Sequence, residues 1–370
     1  MNGRRRICLI SVVAVLGFCH LSSEAEEATK LFPIVQDEKW GYINRAGTVV
    51  IKPRFELAES FSEGLAAIHL DGGVGYIDRT GKVVIAPSFE MAESFSEGLA
   101  AVSIDKRYGY IDRTGNIVIT PQFHVACEFS EGLAAVTVPG EVEKFGFIDP
   151  TGAIIIQPQF TRAFGCPSFS EGLALVREDG TPLYIDRTGE VVIKPAGNSA
   201  SNFSEGLACI MSQKGSLLNS MHYINSKGKV VIPPVFHGGS SAQTSSFSEG
   251  FAVFYAFVGE HKLMRCGYID KEGKIAMAPQ FDSCSPFSEG LAAVWTGTTE
   301  YVPGKWGFIN QEGHFVIAPR HAESFGVDSK FSGGLVEINL DWSAGRWGYL
   351  NRRGRLVWHS TPEPGKVTER

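Results

Sequence analysis

Short apolar runs separated by polar turns fill this chain, and no stretch keeps a 3.6-residue apolar period over a dozen residues. One stretch shows the pattern. Leu99-Ala100-Ala101-Val102-Ser103-Ile104 reads as a first strand (a), Tyr108-Gly109-Tyr110-Ile111-Asp112 as a second (b), and Asn116-Ile117-Val118-Ile119 as a third (c). Between b and c, Asp112-Arg113-Thr114-Gly115 has hairpin chemistry: an Asp or Asn bonds the turn backbone, and Gly takes the positive φ of a bulged hairpin. The pattern predicts an all-β chain.

The same unit is written nine times. Counted from the residue before the first-copied Tyr or Phe of strand b, units begin at 41, 75, 109, 146, 183, 222, 267, 307 and 348, in steps of 34 to 45 residues. Gly closes the b–c turn in all nine, at 47, 81, 115, 152, 189, 228, 273, 313 and 354. So strict a requirement is a backbone one. A second block, Phe-Ser-Glu-Gly-Leu-Ala, starts at Phe61, Phe95, Phe129, Phe169, Phe203 and Phe287, with altered forms at Phe247 and Phe331. Pro follows strand c in the first eight units, from Pro53 to Pro319. Since proline cannot donate to a ladder, strand c is expected to end there.

Strand b places Tyr108 and Tyr110 on one face and Gly109 and Ile111 on the other, and strand c is apolar on both faces. A sheet apolar on both sides needs cover on both, which neighbouring units supply. Two Phe per unit, such as Phe89 and Phe95, are expected to fill the seams. The fold class predicted is all-β: a tandem array of about nine three-stranded antiparallel units in a curved, propeller-like or superhelical β-repeat stack. The closed ring stands as the alternative, because the chain opens on strand a (Leu31–Gln36) and finishes on strand c (Leu356–Trp358), with no swapped strand to close it.

Trp40-Gly41-Tyr42-Ile43-Asn44, Trp306-Gly307-Phe308-Ile309-Asn310 and Trp347-Gly348-Tyr349-Leu350-Asn351 resemble the WG-repeat family, also called KWG repeats, and Lys39 and Lys305 complete the longer name. The resemblance covers about residues 31–358 and includes the downstream Gly, Pro-x-Phe and Phe-Ser-Glu-Gly blocks. Trp is replaced by Val74, Tyr108, Phe145, Pro182, Met221 and Cys266, and the motif Gly by Leu183 and His222. Unit five lacks the Phe after Pro195, and Gly333 replaces Glu in the last block. The resemblance implies a mostly bacterial, β-rich interaction module and brings no catalytic residues.

The N-terminus reads as an address. Arg4-Arg5-Arg6, an apolar run from Ile7 to Phe18, and Ser23 and Ala25 flanking a cut describe a signal peptide over residues 1–25, cleaved after Ala25. Phe18 before Cys19 disfavours a lipid-anchored form, and the run is short for a membrane span. The expected organisation is signal peptide 1–25, repeat domain 26–358 and tail 359–370, with a secreted or periplasmic product. Cleavage removes three Arg and one Glu, leaving 31 basic and 39 acidic residues and a net charge of −8. That charge offers no footprint for nucleic acid. Five cysteines remain, Cys127, Cys166, Cys209, Cys266 and Cys284, without metal-ligand spacing. They read as buried small hydrophobes with room for one incidental bridge.

Candidate chemistry is sparse. Glu63, Glu97, Glu131, Glu171, Glu205, Glu249 and Glu289 suggest either a carboxylate ring for cations or sugars or, better supported by repetition, turn residues that satisfy backbone groups. Asp78, Asp112, Asp149, Asp186 and Asp270 alternate with Asn at the equivalent places, which favours turn capping over calcium. No nucleophile elbow, phosphate loop or dinucleotide fingerprint is present. The expectation is therefore a non-enzymatic chain without cofactor or metal. Its partner is expected to be another protein or a cell-envelope glycan. Recognition is expected on the loops that differ between units: His237–Ser246, Gly259–Arg265 and Thr296–Lys305, with Trp295 and Tyr301 as aromatic anchors. A hydrolase or lyase with loop-borne residues is the remaining alternative.

Overall fold

The computed structural model describes residues 30–140, 144–161, 165–212, 220–237, 246–260, 263–297, 304–321, 330–341 and 345–360. The expected signal peptide, residues 1–25, falls outside them, as does all but the start of the expected tail. Among the described residues there is no helix. Nine antiparallel units form a nine-bladed β-propeller: Phe32–Phe55, Leu57–Phe89, Met91–Phe123, Val125–Phe160, Phe169–Ile193, Ser199–His237, Ala252–Phe281, Ser283–His321 and Leu335–His359. A single bridge, His237 to Tyr255, joins the sheets of blades 6 and 7.

Each predicted strand forms, and in six of the nine blades the connector adds one more among the described residues. In blade 2, Leu57-Ala58 pairs with His69 and Ile68 ahead of strands a (Leu65–Leu70), b (Gly73–Asp78) and c (Val83–Phe89). This lead strand turns into strand a through Ser62-Glu63-Gly64-Leu65. Glu63 and Gly64 have φ of 50° and 82°, the left-handed pair of a tight hairpin turn.

Strand c does not end at its proline. Across from strand b, Tyr42 pairs with Ile51 and Trp40 with Phe55, so four residues of c oppose two of b. Pro53 lies inside that bulge, where a missing amide costs no ladder bond. The motif glycine makes room for it: a Cβ on Gly41 would lie 2.5 Å from the Ile51 carbonyl oxygen and 2.6 Å from Pro53 N. Trp-Gly and Pro-x-Phe are thus two halves of one backbone feature. Blade 5 lacks the glycine, having Leu183, and its strand c stops at Ile193.

The core lies between blades. Tyr76 packs edge-on against Phe95 of the next blade at 4.9 Å, and Phe89 joins them as expected. Tyr42, Tyr76, Tyr110, Tyr184 and Tyr268 each donate a hydrogen bond of 2.6–2.8 Å to a backbone carbonyl 17 residues on, in the next lead segment. Burial holds these phenols well above their ordinary pKa. Cover is incomplete mainly at the start of strand c, where pairs such as Val49-Val50, Ile117-Val118 and Ile154-Ile155 are exposed, with Phe257, Leu263 and Met264 of blade 7 exposed besides. The expectation of apolar cover on both faces holds for strand b outside blade 7 and fails at the start of strand c, which is the edge strand in most blades.

The ring closes. Tyr349 of the last blade donates to the Pro33 carbonyl of the first at 3.0 Å and packs on Phe32 at 5.5 Å. Trp40 stacks on Trp347 at 6.2 Å, and Lys30 Nζ donates to Ser332 Oγ. Phe32, Ile34 and Ile43 share one cluster with Leu335 and Tyr349. No swapped strand is needed among the described residues, because the seam repeats the tyrosine-to-carbonyl contact used elsewhere.

In the b–c turns, Asp112 Oδ1 accepts from the Thr114 hydroxyl (2.6 Å), Thr114 N (2.9 Å) and Asn116 N (3.0 Å). Asn44 Oδ1 likewise accepts from Ala46 N and Thr48 N, both at 3.0 Å. Bonds led by the Thr114 hydroxyl pull the Asp112 pKa from 3.8 down to about 2. A depressed carboxylate stabilises the fold above its unfolded pKa, and that stabilisation is lost as pH falls through about 2. Carbon-detected NMR titration is expected to place the Asp112 midpoint near pH 2. Asp112→Asn is expected to remove this acid sensitivity between about pH 4 and 2 while leaving neutral-pH stability unchanged. An Asp112 midpoint near 4 would contradict the capping geometry.

Candidate functional site

The repeated Phe-Ser-Glu-Gly turns are committed to one another. Ser62 Oγ donates to the Phe95 carbonyl at 2.7 Å, and the same contact runs from blade to blade up to Ser288 and Phe331. Glu63 accepts from Gly98 N at 3.0 Å, Glu97 from Gly132 N at 2.8 Å, and Glu131 from Gly172 N at 2.9 Å. Glu171, Glu205, Glu249 and Glu289 repeat it on Gly206, Gly250, Gly290 and Gly334. These carboxylates form a ring, and each holds the next blade's turn amide. The bond offsets the cost of placing a Glu at positive φ. Gly333 stands where the other blades have Glu, and a Cβ there would meet the Lys30 side chain at 2.7 Å. The sequence departure marks the seam.

Five cysteines give two bridges, not one: Cys127–Cys166 and Cys266–Cys284, with Cys209 buried and free. Cys127–Cys166 ties the connector before blade 4 to the connector before blade 5, closing 39 residues of chain.

Beside that bridge lies a cleft of about 660 Å³. The connectors before three consecutive blades build it: Glu93 and Ser96, His124–Ser130, and Cys166–Ser168, with Tyr108 of strand b. Ser96 and Ser130 are held by the turn ring, while Glu93, His124 and Glu128 are exposed. Glu128 is raised above the usual carboxylate pKa by partial burial and by the Glu93 charge, and the Tyr108 phenol by burial, Glu93 and Glu90. A second cavity of about 310 Å³, lined by Leu57, Glu59, His69 and Met91 among others, shares Glu93 with it. Sequence reasoning passed over these residues. The signal available was Glu59 and Glu93 at equivalent places and Glu128 one place further on.

Of the variable loops, 238–245, 261–262 and 298–303, including Tyr301, lie outside the described residues. Trp295 pairs across strands with Trp306, rings 5.4 Å apart and edge-on. All six tryptophans of the chain fall in blades 8, 9 and 1 or the loops of those blades. In this arc Trp40, Trp295, Trp347 and Trp358 are partly exposed. Among the described residues no group of three or more His, Cys, Asp or Glu is arranged to hold a metal ion, and no helix is long and apolar enough to cross a membrane.

Comparison with solved structures shows the fold. A crystal structure of a eukaryotic initiation factor is similar with a TM-score of 0.58 at 11% identity, covering 89% of this chain and 95% of that one. BamB from Moraxella catarrhalis (TM-score 0.40, 11% identity, 72% and 93% covered) and apo AztD from Citrobacter koseri (TM-score 0.42, 13% identity, 90% and 94% covered) are more distant. No curated protein matches the sequence. The WG containing repeat, however, matches residues 40–73, 75–108, 108–138, 145–181, 184–214, 223–255, 267–294 and 306–320. Those matches span more than half of the chain and hold the Gly and Pro that shape the bulges, so the chain belongs to the WG-repeat family.

Proposed function

We propose that the protein is an exported, non-catalytic scaffold that binds another protein or an envelope component through features that differ between its blades. The observation that carries this reading is the turn ring: the regularly repeated Ser and Glu side chains are bonded to neighbouring blades, which leaves recognition to the unrepeated surface. Two disulfides support an oxidising compartment, where such bridges persist. Rigid stacked blades lower the ordering cost of presenting a broad surface.

The test is capture of envelope material on immobilised residues 26–370, beside a form with Gly238–Ser246 and Thr296–Gly304 shortened. Enrichment of a partner on the intact chain alone would assign recognition to those loops. Equal recovery by both forms would move recognition to the surface they share, and no recovery would overturn the binding reading. A glycan partner is the second reading, favoured by the tryptophan arc of blades 8, 9 and 1. It predicts retardation by soluble glycans in affinity gels that Trp40→Ala weakens.

A further inference from the structure

The two disulfides stand in opposite surroundings. Cys266 and Cys284 are both buried, packed with Phe281 and Phe287 in the apolar seam between blades 7 and 8. Cys127 is buried as well, but its partner Cys166 is exposed, and both line the cleft of about 660 Å³. The first bridge therefore has one cysteine open to solvent at a cavity, and the second has no exposed cysteine.

The Cys127–Cys166 bridge also sits where the fold does not require one. Blades 2 and 3 carry Glu59 and Glu93 at the place of Cys127. Their interblade bonds form all the same, from Tyr42 to the Glu59 carbonyl and from Tyr76 to the Glu93 carbonyl, each at 2.7 Å. Cys166 lies in a connector three residues longer than its counterparts. Phe160 to Phe169 is a step of nine, where Phe55 to Phe61, Phe89 to Phe95 and Phe123 to Phe129 are steps of six. Blades 4 and 5 are joined independently of the bridge, by Ser130 Oγ on the Phe169 carbonyl at 2.7 Å and by Glu131 on Gly172 N at 2.9 Å.

We propose that the Cys127–Cys166 bridge is a site of thiol–disulfide exchange with a dithiol, whose action releases one wall of the cleft while the ring stays closed. Exposed bridges are the ones that exchange, because a thiolate must reach the sulfur it attacks. Access assigns the roles. The incoming thiolate attacks the Cys166 sulfur, the bridge breaks, and its electron pair goes to the Cys127 sulfur, which takes a proton from water. The dithiol's second sulfur, as a thiolate, attacks the first and displaces Cys166 as a thiolate, which is protonated in turn. Two electrons have passed to the bridge, and the dithiol leaves as a disulfide. Cys166–Ser168, one wall of the cleft, is then no longer tied to Cys127, while the turn bonds between the blades persist. The assignment does not depend on what the scaffold binds.

The test treats the oxidised protein with dithiothreitol at about pH 8, where that dithiol is partly thiolate. Samples are blocked at intervals with N-ethylmaleimide in urea, and the label is mapped by mass spectrometry. Cys209, which is free, takes label at every interval and serves as the standard. Cys127 and Cys166 are expected to become labelled at least about tenfold faster than Cys266 and Cys284. With glutathione, a monothiol, the mixed disulfide is expected on Cys166. Hydrogen exchange after reduction is expected to quicken at 124–128 and 166–168 and to stay unchanged in the strands of blades 4 and 5. Cys127→Ser combined with Cys166→Ser is expected to reproduce that pattern without reductant.

Equal rates for the two bridges would overturn the proposal, as would label that appears only once urea unfolds the chain during reduction. Glutathione found on Cys127 would reverse the assigned roles and overturn it too. Loss of protection throughout blades 4 and 5, or failure of the double Ser variant to fold, would make the bridge a structural staple instead.

Discussion

Replacing Tyr349 by Ala is expected to open the ring, with a loss of about 3–5 kcal/mol, the range for deleting a large buried aromatic. Tyr349 is buried, packs on Phe32 at 5.5 Å and donates to the Pro33 carbonyl at 3.0 Å. The substitution removes the ring contact and leaves a part-buried carbonyl without its donor. Tyr184→Ala is the matched control. Tyr184 makes the same hydrogen bond at 2.6 Å and packs on Phe203 at 4.9 Å, but blades 5 and 6 remain joined through the chain. Both variants are expected to melt earlier. Only Tyr349→Ala is expected to enlarge the radius of gyration in small-angle scattering and to expose blades 1 and 9 to hydrogen exchange. An unchanged radius for Tyr349→Ala would mean that the remaining seam contacts, Trp40 on Trp347 and Lys30 on Ser332, hold the ring shut.

Gly109→Val is expected to cost about 3 kcal/mol, the upper part of the range for overpacking. A Cβ at this position would lie 2.4 Å from the Ile119 carbonyl oxygen and 2.7 Å from Pro121 N. Both obstacles are backbone, so no side-chain rotation relieves them. The bulge of strand c has to move, and with it Phe123, which pairs with Tyr108 beyond the bulge. Blade 6 keeps a comparable bulge with His222 at the glycine position, pairing Tyr223 with Ile232 and Met221 with Phe236. The Val variant is therefore expected to fold, less stably. Gly98→Ala separates crowding from φ strain: Gly98 has φ of 83° and nothing within 4 Å of an added Cβ. It is expected to cost about 1–2 kcal/mol, the strain of a left-handed non-glycine residue alone. Urea midpoints compare the two, and equal losses would show that the close approach to Pro121 carries no extra cost.

The elements set by neighbours in the chain were legible from sequence. Strands a and b follow from two-residue alternation, and the b–c turn from Asp or Asn three residues before a Gly. The turn position of the Phe-Ser-Glu-Gly glutamates was also readable. The identity of their partners was not, because each accepts from an amide about 35 to 45 residues away. Proline 53 misled for a related reason. A local rule ends the ladder at proline, while the bulge that accommodates it depends on Gly41 across the sheet.

For the candidate site the balance tips further towards tertiary structure. Glu59 and Glu93 repeat in sequence, but nothing local distinguishes them from the turn glutamates four residues on. That Glu93 lines a cleft with Glu128 depends on how three connectors meet beside the Cys127–Cys166 bridge. Pairing among five cysteines is equally non-local.

The sequence by itself determined nine β units, their order, their turns and the family to which they belong. Those properties depend on side-chain period and on φ at single residues, quantities fixed within a few positions of chain. Tertiary structure alone decided ring closure, the second disulfide, the interblade bonds and the cleft beside the Cys127–Cys166 bridge. Closure depends on small tilts between neighbouring blades summing to a full turn, and the cleft depends on which connectors that turn brings together. Neither sum can be read from one repeat, because each blade's tilt is set by the two faces it packs between.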